Sequence, residues 1–566
     1  MRLRALFAPT ALVVGLALGV AACDFGFRLS GEPTVAKVRP TPSASASAVP
    51  TLVAVADPLG ERPELDEPKA FKPPTMSVFQ GPQGLTVWHL ERPELPIATA
   101  AFISPYGAAI DPADKPGTMS FLADMLDEGA GKRSALEISE SFATLGASFF
   151  ASATLDGSSA SVTALRTKFD AAFEILCDVV ARPKLQAADF DRAKKLWMNN
   201  LKKRADEPMA VASTVLARQM YGEASPYGHP SIGLQSKSAA VDLATLKSLH
   251  QATWRPDRLT LVVVGQVTRA DLEKSLAQNL GTWKPQGEAA KPAPVAAVKE
   301  TRPRALLVHR PDAVQTVVLV SGPGVSASGS DSAPLGLIND AIGGSFTSRL
   351  NMKLREETNW TYGVGSAFTF VKGQGTFNVR SSVEAKFTGP ALAEILRTLD
   401  DIHSNGLLPD EIGKTKAQDQ RDMMQMFEGS TSIADRMREL AGLGLPSGYD
   451  ASATKLRQAA DESALKSLAK SHLDTSRMTI VLVGDKDVIK ASLAPEDLKL
   501  EFLLVDAEGY TEAERPAKAE PKPPAAKPKA PTKPATTKPA ITKPATVKPP
   551  TKPAKPAPLK PATKPK

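Results

Sequence analysis

Cysteine is nearly absent. The 566 residues contain only Cys23 and Cys177, which excludes a disulfide framework as the source of stability. Histidine is scarce too, with six residues at 89, 229, 250, 309, 403 and 472. No two of them stand three or four apart, so no helix here offers a histidine pair to a metal. Aromatic residues make up 5%. None follows Tyr510, which leaves the C-terminal region without platforms for stacking bases. Beyond Ala22 there is no apolar run long enough to predict a bilayer crossing.

What is present begins at the ends. Arg2 and Arg4 precede an apolar stretch, Ala5 to Ala22, that closes on Val20-Ala21-Ala22-Cys23. A charged start, an apolar stretch and small residues before a cleavage point predict an export signal over 1–22. A cysteine directly after them adds the pattern of an exported bacterial lipoprotein. Cys23 would carry the lipid and anchor the protein on the periplasmic or outer side of the cell envelope. An ordinary secretory signal with a chance cysteine is the alternative. Residues 23–70 are rich in Pro, Ser and Ala and read as a flexible tether. Residues 511–566 repeat Lys-Pro units and read as a disordered tail of polyproline II character. From Pro521 onward that tail holds twelve lysines and no acid. Removing them from the net +8 leaves the rest of the chain at −4. The basicity therefore belongs to the tail and argues for no specific nucleic acid. It suits anionic envelope polymers, or a plain solvated spacer.

The body repeats itself. KSLHQATWRPDRLTLVVVG from Lys247 returns as KSLAKSHLDTSRMTIVLVG from Lys466, offset by 219 residues. Each copy is a helix end followed by a short β-branched apolar run that suits a buried strand. Upstream of each lies a strand–turn–strand pattern, around Gly157 and around Gly373, and then an amphipathic run holding Glu-Ile-Leu (174–176 and 394–396). Cys177 falls in the first of these runs and reads as a buried small hydrophobe. Two α+β domains of one plan are predicted, over 71–287 and 300–507. Each is a mainly antiparallel sheet with helices packed on one face, joined across a Pro/Ala-rich stretch near 285–302.

GTMSFLADM (117–125) predicts a helix start. Ser120, Ala123 and Asp124 stand at i, i+3 and i+4, on one helical face. Later, Phe346, Leu350 and Leu354 recur every fourth residue, predicting a helix that ends near Arg355; a turn at 358–361 leads to a strand opening at Tyr362. On spacing alone, Arg355 pairs with Glu356 or Glu357, or caps its helix, and Tyr362 packs.

These segments carry a resemblance. GTMSFLADMLDEGA, WRPDRLTLVVVG, AVQTVVLVSG and above all GGSFTSRLNMKLREETNWTYGVGS (343–366) are similar to the pitrilysin/insulinase family of zinc metallopeptidases, over roughly 75–505. Active members carry H-x-x-E-H on a first-domain helix and a third ligand, Glu, on a later one. In this sequence the two histidines fall at Ser120 and Asp124, the general-base Glu at Ala123, and the third ligand near Asn200. All four depart from the pattern, so no zinc is expected in this chain. The second-domain motif is intact. The resemblance implies that Arg355 and Tyr362 bind the substrate backbone across a facing zinc site.

The expected architecture is thus the family's half-clamshell with a degenerate metal site. The implied function is a non-catalytic, substrate-binding subunit of a heteromeric zinc peptidase. A partner of the same family would bring the zinc, and the substrate would be an extended peptide. The alternatives are a non-proteolytic peptide-binding or assembly scaffold of the same fold, and self-sufficient hydrolysis at a reorganised metal site.

Overall fold

The computed structural model describes residues 71–514 apart from Pro303 and Lys499. The segments read as an export signal and tether, with Cys23, and nearly all of the segment read as a tail lie outside the described residues.

Two six-stranded sheets organise the body. The first takes β1 (Ser77–Gln80), β2 (Thr86–Glu91), β3 (Ile97–Ser104), β4 (Ser148–Ala153), β5 (Ser158–Leu165) and β6 (Thr260–Gly265), in the order β1-β2-β6-β3-β5-β4. The second takes β7 (Ala305–His309), β8 (Gln315–Pro323), β9 (Thr361–Thr369), β10 (Thr376–Glu384), β11 (Thr479–Gly484) and β12 (Phe502–Val505), in the order β12-β7-β11-β8-β10-β9. Five strands correspond one to one. Only the outermost differs, supplied by the segment before β2 in one sheet and after β11 in the other. The β2–β6, β7–β11 and β7–β12 pairs are parallel and the rest antiparallel.

The repeated apolar runs become β6 and β11, inner strands buried on both faces. Side chains alternate across a strand, and here each alternate set enters a different core. Leu261 and Val263 join a core closed by the first domain's own helix Arg166–Ala181, which also holds the fully buried Cys177. Val262 and Val264 join another, closed by Ile433, Met437 and Leu440 of the helix Ser430–Leu443. The second sheet mirrors this. Ile480 and Leu482 face its own helix Thr388–Asn405, while Val481 and Val483 face Val211, Val215 and Met220 of the first domain's helix Pro208–Tyr221. Each sheet therefore has its own helices on one face, as expected, and a helix from the other domain on the opposite face.

The two hairpin turns meet where the domains cross. Asp156, buried in the β4–β5 turn, accepts from Tyr227 Oη (2.6 Å) and from the Lys372 backbone N–H (2.9 Å) in the β9–β10 turn. Lys372 Nζ in turn donates to the carbonyl oxygens of Pro105 (2.7 Å) and Asp156 (2.8 Å). The connecting stretch is pinned rather than loose: the Val298 N–H donates to Gln374 Oε1 (3.1 Å) and the Lys299 N–H to Met220 O (2.7 Å).

Candidate functional site

The helix Thr118–Met125 begins at Gly117, whose φ of +87° favours glycine. A Cβ there would also strike the Ile232 carbonyl. Asp111 supplies the missing cap, accepting the N–H groups of Gly117 (2.7 Å) and Met119 (2.8 Å). Met119, Phe121, Leu122 and Met125 are buried. Phe121 stacks on Trp197 of the helix Ala187–Asp206, with ring centroids 4.7 Å apart and 4° between planes. That contact sets the two helices side by side. The helix scaffold that would hold a metal is therefore present.

The side chains on it are another matter. Ser120 is half-buried, Ala123 buried, and Asp124 and Asn200 exposed. A hydroxyl, a methyl, one carboxylate and an amide do not fit zinc, which takes imidazole, thiolate and carboxylate donors. Among the described residues, no group of three or more His, Cys, Asp or Glu has a metal-holding arrangement. The histidines have other work: His89 Nε2 bonds Val267 O (2.8 Å), His250 Nε2 bonds Val180 O (2.9 Å) and His229 Nδ1 bonds Pro230 O (3.0 Å).

Asp124 is perturbed all the same. Water reaches it, yet dense surroundings, with Asp127 and Glu128 repelling, push its carboxyl up to about 7. Because water reaches the carboxylate, it screens part of this effect. Asp127 rises to about 6, chiefly by burial. The native form thus holds its Asp124 proton well above the unfolded value of 3.8. The stability tied to that proton is complete below the unfolded pKa and lost as pH rises towards 7. Asp124→Asn, which cannot ionise, is expected to raise the urea midpoint over the native protein at pH ~8 and to match it near pH ~3.5.

In the second domain the motif 343–366 is mostly an anchoring device. The helix Ser332–Asn339 continues as a π-turn, Asp340–Gly344. A Cβ on Gly343 would stand 2.8 Å from the Ser366 backbone nitrogen, and one on Gly344 would strike Asn339. The glycine pair thus lets the turn lie against β9. Arg349 is held by both oxygens of Glu411 (2.6 Å each) and by Asp401 (2.6 Å). Its role is structural, and spacing gave no sign of these partners.

Phe346 corrects the periodic reading. It lies in a turn before the helix, 54% exposed, while Leu350 and Leu354 are buried. The helix itself runs Arg349–Asn351 and passes into a π-turn, Met352–Glu357. The Arg355 guanidinium lies over the Phe346 ring, 4.9 Å from its centroid, and its Nε approaches Glu356 at 3.3 Å. The pairing with Glu356 expected from spacing is therefore present. Packing by Tyr362 is not: its side chain is 90% exposed at the start of β9. The structure sets Arg355 beside β9 through bonds from Asn359 N to Arg355 O (3.2 Å) and Trp360 N to Leu354 O (3.0 Å). Arg355 and Tyr362 share one domain, and the Ser120, Ala123, Asp124 and Asn200 set the other.

Each motif stands at an open sheet edge. β4, outermost in the first sheet, packs beside the Thr118–Met125 helix, and β9, outermost in the second, beside the helix that carries Arg355.

Two family models match successive stretches of the body: Insulinase (Peptidase family M16) over residues 87–229, within the first domain, and Peptidase M16 inactive domain over 240–418, from the end of the first domain into the second. An uncharacterized zinc protease of Streptomyces coelicolor is 24% identical over 363 residues, covering 63% of this chain and 78% of that one. One from Mycobacterium leprae is 22% identical over 356 residues, covering 63% and 80%. Among solved structures, a peptidase M16 inactive domain from Pseudomonas fluorescens superposes with a TM-score of 0.67 at 25% identity, over 73% of this chain and 98% of that one. A protease from Helicobacter pylori shares the fold, with a TM-score of 0.67 at 16% identity, over 72% and 99%. Duplicated sheets, a glycine-pair motif and these matches agree that the chain belongs to the insulinase (M16) family, as an inactive-type zinc-protease homologue.

Proposed function

We propose that this chain is the non-catalytic, substrate-binding subunit of a heteromeric zinc peptidase. A second family member brings the zinc, and the lipid on Cys23 holds the assembly at the cell envelope. One observation carries the reading: a largely exposed Tyr362 and a partly exposed Arg355 are kept beside an open strand, in a chain whose metal-ligand positions hold no imidazole and a single carboxylate. An open edge offers unpaired N–H and C=O groups, so an extended peptide can add as a further strand. A guanidinium and a phenol beside that edge can donate to its carbonyl oxygens, and most strongly to an oxygen gaining charge. No hydrolytic step is assigned to the first-domain site.

The test is to purify the chain with its associated proteins, measure metal content, and assay peptide cleavage before and after chelation. Cleavage is expected only with the partner present, to vanish on chelation, and to return with zinc. The isolated chain is expected to hold no stoichiometric zinc. Stoichiometric metal and unaided cleavage by the purified chain would overturn the reading. An associated assembly with no peptidase activity would instead support the scaffold.

A further inference from the structure

Phe346 is an expensive residue to leave bare. A phenyl ring gains by burial, yet the fold holds this one half in water. Its backbone is fixed from two sides: buried Asn351 donates Nδ2 to Phe346 O (2.6 Å), and Lys414 Nζ donates to the neighbouring Thr347 O (2.9 Å). The ring is therefore presented by a braced turn.

What it presents to is Arg355. A guanidinium has five N–H donors and a flat face. Here the guanidinium carbon lies over the ring, 4.9 Å from its centroid, and Nε leans to Glu356. No hydrogen bond joins either Nη to another described residue, and the side chain stays about one-third exposed (35%). The donor edge thus remains available. The ring opposes the pull of Glu356, while Glu357 is taken up by Lys353 (2.7 Å).

We propose that Phe346 is a positioning residue for Arg355. It holds the guanidinium over its ring and leaves the two Nη groups to reach the carbonyl or carboxylate oxygens of a bound peptide. The inference rests on the reading of Arg355 as a peptide-binding donor. The cation–π contact supplies the orientation, so the aromatic character of the ring matters more than its bulk.

Two measurements on the full chain separate this inference from that reading. The first is the anisotropy of a fluorescein-labelled, carboxymethylated unfolded polypeptide. Phe346→Leu is expected to weaken binding about two- to fivefold, the scale of an exposed cation–π contact. Phe346→Tyr is expected to restore it. In an Arg355→Ala background Phe346→Leu should cost nothing further, because the two residues act as one unit. The second is the NMR resonance of the Arg355 Nε proton, which the ring current shifts in the native chain and in Phe346→Tyr, and which returns to its ordinary position in Phe346→Leu. An unmoved resonance in Phe346→Leu overturns the positioning role. So does a loss that persists undiminished without Arg355, since the ring would then touch the peptide itself. If Arg355→Ala leaves binding intact while the resonance moves as described, the ring still orients the guanidinium and it is the peptide-binding reading that fails.

Discussion

If the proposed assembly with a zinc-bearing partner forms, Arg355→Ala is expected to lower its peptide cleavage about 100-fold while its zinc content and fold stay as they were. The magnitude is that of removing one donor aimed at an oxygen that gains charge during acyl transfer. Several observations make the variant clean. The side chain is partly exposed and its one ion pair is with its sequence neighbour, so truncation opens no cavity and strands no buried charge. Arg355→Lys should fall between, because an ammonium keeps the charge but not the planar fork. Tyr362→Phe removes a hydroxyl from a side chain that touches little of its own protein, and should slow cleavage without moving the denaturation midpoint. Initial rates on one peptide, with urea midpoints measured in parallel, decide the matter. Full activity in both Arg355→Ala and Tyr362→Phe would leave this chain as a scaffold.

The second large effect lies far from the site. Asp156→Ala is expected to cost about 3–5 kcal/mol of stability, the range for removing one partner from a buried charged network. The carboxylate satisfies a tyrosine hydroxyl and a backbone N–H, which water could not reach to replace. It also lies beside Lys372, whose ammonium is weakened by burial and supported by the Asp156 charge. Tyr227→Phe removes one of these bonds and should cost about 1.5–3 kcal/mol. Asp156→Asn should fall between the two, since its amide can accept from one partner but turns an NH₂ towards the other. Chemical denaturation followed by tryptophan fluorescence gives all three values. An Asp156→Ala midpoint equal to that of the native protein would refute the role assigned to this junction.

Local physics made much of this legible. A strand buried on both faces must be apolar at every position, which is why LTLVVVG and MTIVLVG stood out and why β6 and β11 fell where the repeat placed them. The hairpins around Gly157 and Gly373 were readable from alternation and turn residues, and they are the β4–β5 and β9–β10 pairs. The likeness of 117–125 to a metal-binding helix was legible as well. The partners were not. Val215 and Met437 mark their helices as amphipathic, but amphipathicity names a face and never what covers it. Phe346 fitted a fourfold period with Leu350 and Leu354, yet a π-turn and a braced loop took it out of the helix. Asp156 looked like an ordinary turn residue because its partners lie 71 and 216 positions away.

The crossed helices also dictate an order of assembly. Until Ser430–Leu443 is in place, the outer surface of β3 and β6 has no cover. Neither half, expressed alone, would be a soluble unit. The chain must be shielded until almost the whole body is available, and a truncation anywhere before Leu443 is expected to leave an apolar sheet face bare rather than a smaller working domain.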